Sequence, residues 1–102
     1  MIVVGITCDT RDTAERIAKT LLEKRLIACS NVFPVESFFW WKDEIKSGDE
    51  IFLMCKSLES KYEEIKEVVE EMHSYDVPLV EAWKVDYVNE KYEEFLKEEV
   101  ED

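Results

Sequence analysis

The sequence has few of the residues that interrupt regular secondary structure, since its 102 residues include only two glycines and two prolines. Hydrophobic residues make up 46% of the chain and charged residues 37%, a composition that excludes a linker or a disordered tail. No apolar run approaches the roughly 18 residues that span a bilayer, and the apolar start lacks the basic flank and cleavage site of a signal peptide. We therefore expect one globular domain, covering residues 1–102, in the cytoplasm.

The sequence also lacks the motifs of several kinds of site. Its three cysteines, Cys8, Cys29 and Cys55, lie far apart without a C-x-x-C pair, which argues against a zinc knuckle and a disulfide framework. There is no Gly-rich phosphate loop, no H-E-x-x-H helix and no G-x-S-x-G elbow, and a single histidine is the only imidazole base. We therefore predict that the protein is not an enzyme and that its thiols are reduced.

Positive charge is scarce as well, with 13 basic residues against 25 acidic ones and a formal net charge of −12. Such a surface repels phosphate backbones and anionic lipid headgroups, so nucleic acids and membranes are excluded as partners, whereas cations are favoured. An alternative is that the acids only keep a small domain soluble. The absence of glutamine and the abundance of Glu and Lys are typical of proteins from thermophiles.

Hydrophobic periodicity predicts alternating strands and helices. β-branched runs indicate strands, and apolar residues that recur every three or four positions indicate two long amphipathic helices. The predicted elements are a strand at 2–7, a helix to about residue 25, a hairpin of strands 29–41 and 49–57, a helix at 57–72, a strand at 77–85 and a short helix at 89–100. This β-α-β-β-α-β order with an additional C-terminal helix predicts an α+β, ferredoxin-like sandwich, with both long helices on one face of an antiparallel sheet. Within it we expect Cys29 and Cys55 to be buried.

Four consecutive aromatic residues, Phe38 to Trp41, do not fit within one chain of this fold. Because successive strand residues point to opposite faces, two of the four lie on each side of the sheet, and the long helices cover only one side. An exposed apolar patch of this size usually marks a contact surface. We therefore expect self-association through the hairpin. The alternative is that the C-terminal helix folds back over the aromatic side chains.

Five segments resemble, in the same order and over nearly the whole chain, the CutA divalent-cation tolerance proteins. They are KTLLEKRLIACSN (19–31), FFWWKDEI (38–45), MCKS (54–57), HSYDVP (73–78) and YEEFL (92–96). The resemblance implies a ferredoxin-like subunit akin to PII-type signalling proteins, assembled as a homotrimer through strands of neighbouring subunits, with a role in tolerance to copper and other divalent cations. One position departs from the family, which commonly has glycine where this chain has Asp43; Asp tolerates a left-handed turn better than most residues.

His73, the only histidine, has two compatible interpretations. It ends the second long helix shortly before Pro78, which favours a structural joint between helix and strand. It also matches the family's H-x-Y-x-x-P motif, and the resemblance implies that this histidine is a copper ligand. Imidazole and thiolate donors both suit copper. As a second donor we name Cys8, which ends the first strand and which we expect near an exposed rim.

The resulting prediction is a homotrimer that binds divalent cations, copper foremost, without holding one tightly, and that contributes to metal tolerance. The alternative is a regulatory module, as in the PII-type relatives, that binds a small metabolite or a protein partner in clefts between subunits. We expect Trp41 and Tyr75 to line such a cleft.

Overall fold

Within residues 1–100, four strands and three α-helices follow one another in the order that hydrophobic periodicity predicts. A computed structural model of the protein describes residues 1–100. Its elements are β1 (Ile2–Cys8), α1 (Arg11–Glu23), β2 (Cys29–Trp41), β3 (Glu44–Ser57), a 3₁₀ turn (Glu59–Lys61), α2 (Tyr62–Met72), β4 (Val80–Lys84) and α3 (Glu90–Glu99). The sheet order is β2-β3-β1-β4 with every neighbouring pair antiparallel, which confirms the ferredoxin-like α+β fold. Within residues 1–100, no helix is long and apolar enough to cross a membrane.

Local backbone chemistry sets the bounds of α1. The hydroxyl of Thr10 accepts a hydrogen bond from the amide of Thr13 at 3.1 Å and so caps the first turn. At the other end, Arg25 adopts a left-handed backbone with φ of 60°, and its amide donates to the carbonyl of Leu22 at 3.0 Å. The helix therefore ends at Glu23, slightly before the predicted boundary.

The hairpin is longer than predicted, because its polar segment belongs to a strand. β3 begins at Glu44 rather than at Asp49, and Trp41 pairs directly with Glu44. The turn consists of Lys42 and Asp43 alone, whose φ angles of 49° and 64° are the left-handed pair of a tight hairpin. Asp43 thus makes the turn without the glycine. The apolar alternation stops here because both faces of this end of the hairpin are exposed in the single chain.

The hydrophobic core lies on the face of the sheet that α1 and α2 cover. Alternate residues of β1 enter it, and β3 contributes Cys55, which is buried as predicted. Its fully buried side chains include Val4, Ile6, Cys8, Ile17, Leu21, Ile27, Leu53, Cys55, Ile65 and Val69.

The C-terminal helix α3 covers one end of the opposite face, at the start of β2. The hydroxyl of Tyr92 lies 2.8 Å from Sγ of Cys29. Two residues outside the main core cluster are buried here. Leu96 of α3 is fully buried, and Val3 of β1, whose register places it on this face of the sheet, is buried as well. Cys29 is only half-buried, so the prediction that it is buried is wrong. Its register opposite Lys56 places it on this face of the sheet and not on the face of the core.

The aromatic residues of the hairpin remain uncovered at the other end of β2. The register places Phe38 and Trp40 on the face of the core, and Phe39 and Trp41 on the opposite face. Phe38 and Trp40 are each 71% exposed, and the other two are 44% and 39% exposed. The alternative in which the C-terminal helix folds over these side chains is therefore wrong.

Candidate functional site

His73 joins the end of α2 to the end of β1. Its amide donates to the carbonyl of Val69 at 2.8 Å and closes the last turn of the helix. Its Nε2 lies 2.7 Å from the carbonyl oxygen of Thr7, and its Nδ1 lies 3.1 Å from the amide of Tyr75. Because the amide must donate to Nδ1, the proton is on Nε2 and the ring is the neutral tautomer. The structural joint is thus confirmed, and it occupies both ring nitrogens.

Tyr75 extends this joint to the hairpin. Its ring packs against His73 with 4.7 Å between centroids, and its hydroxyl donates to Oε2 of Glu50 at 2.6 Å. Burial raises the pKa of Tyr75, and the Glu50 carboxylate, which accepts its proton in a hydrogen bond, raises it further. The loop after α2 is therefore attached to β1 through His73 and to β3 through Tyr75.

A second contact ties the same loop to the start of α1. Desolvation acts to raise the pKa of Asp9, but side-chain hydrogen bonds with Ser74 and Thr13 outweigh it and hold the pKa below its usual value. Asp9 is accordingly ionised at neutral pH. The loop therefore contacts two carboxylates, Asp9 directly after β1 and Glu50 in β3.

A cleft of about 750 Å³ opens between this loop and the outer face of the hairpin. Trp41 and Tyr75 both line this cleft of the single chain. We expected them to line a cleft between subunits, and that expectation stays a prediction. Most of the remaining wall is aromatic or aliphatic, and it includes Phe39, Trp40, Val77 and Leu79. Two carboxylates, those of Glu50 and Asp76, also lie in the wall. This arrangement suits a small ligand with an apolar body and a polar group.

Sequence reasoning missed Glu50, which lies 25 residues before Tyr75. The alternation of β3 places Glu50 opposite Val35, on the face that does not carry the core. The alternation of β3 could have indicated that the Glu50 carboxylate lies on this face, but it does not predict that Tyr75 donates a hydrogen bond to it. The residues Val77 to Leu79 were expected in the fourth strand, which begins only at Val80.

Cys8 lies inside the core, not at an exposed rim as we expected. It shares the core face with its cross-strand neighbour Ile51. Burial, with a smaller contribution from the charge of Asp9, raises the pKa of the Cys8 thiol to about 12. The thiol is therefore protonated at neutral pH, whereas a metal binds the thiolate.

The candidate metal ligands do not form a complete site within one chain. Among residues 1–100, no three His, Cys, Asp or Glu side chains come together in a way that could hold a metal ion. His73 uses both nitrogens in hydrogen bonds, and Cys8 is enclosed and protonated. A copper site at His73 would need one of these bonds to open and further donors to approach.

Comparison with known proteins identifies the family. Residues 2–99 match the sequence profile described as "CutA1 divalent ion tolerance protein". The chain belongs to the CutA1 family. A CutA1 relative from Pyrococcus horikoshii, named divalent-cation tolerance protein CutA, is 42% identical over 99 residues, which are 97% of each chain.

Solved CutA1 structures share the fold over its full length. The crystal structure of CutA1 from Pyrococcus horikoshii has a TM-score of 0.96 and 40% identity and covers 100% of both chains. CutA from Archaeoglobus fulgidus has a TM-score of 0.96 and 38% identity and covers 99% of this chain and 100% of its own; it is described as a periplasmic divalent cation tolerance protein. The predicted family is confirmed.

Proposed function

We propose that this CutA1-family protein acts in the cytoplasm as a homotrimer that binds divalent cations, copper foremost, and so contributes to metal tolerance. The family supports tolerance of divalent cations as the general role. The net charge of −12 supports attraction of cations to the surface. The cytoplasmic location, the single domain and the lack of enzymatic activity stay predictions.

The exposed hairpin is the observation that supports assembly. Phe38 and Trp40 are each 71% exposed, and Ile45 beside them is 67% exposed. A second copy of the chain is the natural partner for such a patch, since each copy carries the same uncovered strands. The two edges of the sheet, at β2 and β4, differ from one another. Contacts between unlike surfaces form rings when the rotation from copy to copy closes, and three copies give the smallest such ring.

His73 and Cys8 remain the candidate copper ligands. His73 can offer an imidazole nitrogen if it gives up its hydrogen bond to Thr7 or to Tyr75, and Cys8 can offer a thiolate only if the end of β1 opens. Because one subunit does not complete the donor set, the trimer supplies the remaining donors in this proposal. Weak and reversible binding follows, because the metal competes with hydrogen bonds that hold the fold.

Calorimetric titration with copper and with zinc tests this proposal. We expect saturable copper binding in the native trimer and its loss in His73→Ala. Tyr75→Phe is the matched control, because it removes the bond to Glu50 from the same loop and leaves the imidazole in place. Cys8→Ala tests the second ligand. Native protein that shows no saturable binding of either metal would remove the direct metal role.

A second candidate function rests on the cleft that Trp41 and Tyr75 share. It is a regulatory module in which this cleft binds a small metabolite or a segment of a protein partner. A thermal-shift screen with small metabolites of both charge signs tests it, because a ligand that binds the folded state raises Tm as its concentration rises above Kd. The absence of any shift across the screen would contradict this function.

A further inference from the structure

None of the ionisable side chains that line the cleft in the single chain is basic, which restricts the ligands that the cleft can hold. Among the described lining residues there are two carboxylates, Glu50 and Asp76, and the phenol of Tyr75, but no Lys, Arg or His. Lys46, the cross-strand neighbour of Phe39, is paired with Glu44 at 2.8 Å. An anionic ligand in this cleft would meet two like charges without a lining counter-charge.

Glu50 is placed to accept a further hydrogen bond. Tyr75 donates to its Oε2 at 2.6 Å, which fixes the carboxylate at the wall of the cleft. A carboxylate has lone pairs on both oxygens, so the bond with Tyr75 leaves Oε1 for a second donor. The charges of Glu50 and Asp9 also raise the pKa of Tyr75, after burial, so the potential at this end of the cleft is negative.

The aromatic wall favours a positive group in the same place. Aromatic faces attract cations, and tryptophan does so most strongly. The Trp41 ring already has one cation near it, since Nζ of Lys42 lies 5.8 Å from the ring centroid, so the ammonium group of a ligand belongs at Glu50 and its apolar body against the rings. Phe39 extends the apolar wall, because it lies on the same face of the hairpin as Trp41 and opposite to the assembly residues Phe38 and Trp40. A ligand with an ammonium group and an apolar body would meet both the carboxylate and the rings.

We propose that the cleft selects small organic cations, with the ammonium group at Glu50 and the apolar body against Trp41 and Phe39. The inference rests on the second proposed function and specifies the ligand class of that site. The net charge of −12 acts in the same direction, because it draws cations toward the whole molecule.

Three probes of nearly equal size test the selectivity. They are 2-phenylethylamine, 2-phenylethanol and 3-phenylpropionate, which are cationic, neutral and anionic. Calorimetry and tryptophan fluorescence on the native protein should give an affinity for the amine about tenfold above the alcohol, as expected for one charged hydrogen bond. The carboxylate should bind more weakly than the alcohol. The amine's affinity should also fall as salt is added.

The Glu50→Gln variant tests whether the carboxylate of Glu50 binds the ammonium group. The amide oxygen still accepts from Tyr75, so the fold is retained, and the amine's affinity should fall to that of the alcohol. Glu64→Gln is the matched control, because it removes the same charge from the exposed face of α2, outside the cleft, and should leave all three affinities unchanged.

The outcomes separate this inference from the broader function. Binding of 3-phenylpropionate as tight as that of the amine would overturn the cation preference and leave the cleft as a ligand site. Equal loss of amine affinity in Glu50→Gln and Glu64→Gln would show attraction by net charge alone and would overturn it too. If none of the three probes binds, both the inference and the regulatory function of the cleft are contradicted. The copper titration tests a different function and does not depend on these three outcomes.

Discussion

The hydroxyl of Tyr75 donates to Oε2 of Glu50 at 2.6 Å, and this bond joins the loop after α2 to the middle of the hairpin. The same loop reaches β1 through His73, whose Nε2 donates to Thr7. These two bonds hold the loop whose residues 74–77 form one wall of a cleft, and the hairpin forms the other wall.

Removal of the Tyr75 hydroxyl should loosen this loop. We expect Tyr75→Phe to lower the free energy of unfolding by about 1 kcal/mol, since the bond is charge-assisted but partly open to water. Urea denaturation at fixed protein concentration measures it. Tyr87→Phe is the control, because Tyr87 is 93% exposed and should lose nothing. Equal effects of the two substitutions would show that the Tyr75 bond does not stabilise the fold.

Loss of the exposed aromatic residues should prevent assembly. We expect the native protein to sediment at about 36 kDa, three times the 12.1 kDa of one chain, and the double variant Phe38→Thr with Trp40→Thr to sediment as a monomer at micromolar concentration. Threonine keeps the strand propensity of these positions. Tyr87→Thr removes an exposed aromatic ring elsewhere and should leave the assembly intact. A native protein that sediments at 12.1 kDa would contradict the homotrimer.

Alkaline pH should destabilise the protein through its buried thiols. The pKa of Cys8 rises from an ordinary 9.0 to about 12 in the folded chain, so the unfolded state loses this proton first. The free energy of unfolding therefore falls as pH rises above 9, by at most about 1.4 kcal/mol per pH unit for each such thiol, and the fall ends near pH 12. Cys55, raised to about 11 by burial, acts in the same direction over a narrower range.

Cys8→Ala tests this dependence, because it should reduce the loss of unfolding free energy per pH unit between pH 9 and 11. Val4→Ala is the control, since it also removes volume from the buried face of β1 but no titrating group. It should lower stability at every pH and leave the slope unchanged. A slope that is the same in Cys8→Ala and in the native protein would contradict the role of this thiol.

The two glycines should respond differently to alanine. A Cβ on Gly5 would lie 2.8 Å from Cζ of Phe52 and 3.0 Å from Oε2 of Glu81, whereas one on Gly48 would meet nothing within 4 Å. We expect Gly5→Ala to cost about 1–3 kcal/mol of unfolding free energy, as overpacking does. Gly48→Ala should be neutral or slightly stabilising. Thermal and urea denaturation measure both, and equal effects would contradict the close packing at Gly5.

Regular elements with one buried face were predictable from the sequence. The apolar residues of α1 and α2 recur at helical spacing because each helix packs one side against the sheet, and β1 and the end of β3 alternate for the same reason. The end of the hairpin was not predictable in this way. Residues 44–48 form a strand by pairing with β2, yet neither of their faces is buried in the single chain, so the pattern carries no signal.

The candidate site was predictable only in part. Trp41 and Tyr75 line a cleft of the single chain, whereas their predicted place in a cleft between subunits stays a prediction. Glu50 was missed, and Cys8 was misplaced. Cys8 ends a strand, and position in the chain does not say whether an end residue faces the core or the rim. Its partner Ile51 decides this, because the two occupy one face of paired strands.

The sequence by itself determined the family, the order of the strands and helices, and an acidic surface that disfavours anionic partners, because these depend on local residue types and their spacing. Only the tertiary structure decided that both ring nitrogens of His73 form hydrogen bonds, that the Cys8 thiol is buried, and that Glu50 accepts a hydrogen bond from Tyr75. The reason is that the bonds from His73 to Thr7 and from Tyr75 to Glu50 join residues 25 or more positions apart, and that strand register and helix packing, rather than any short segment, set these distances.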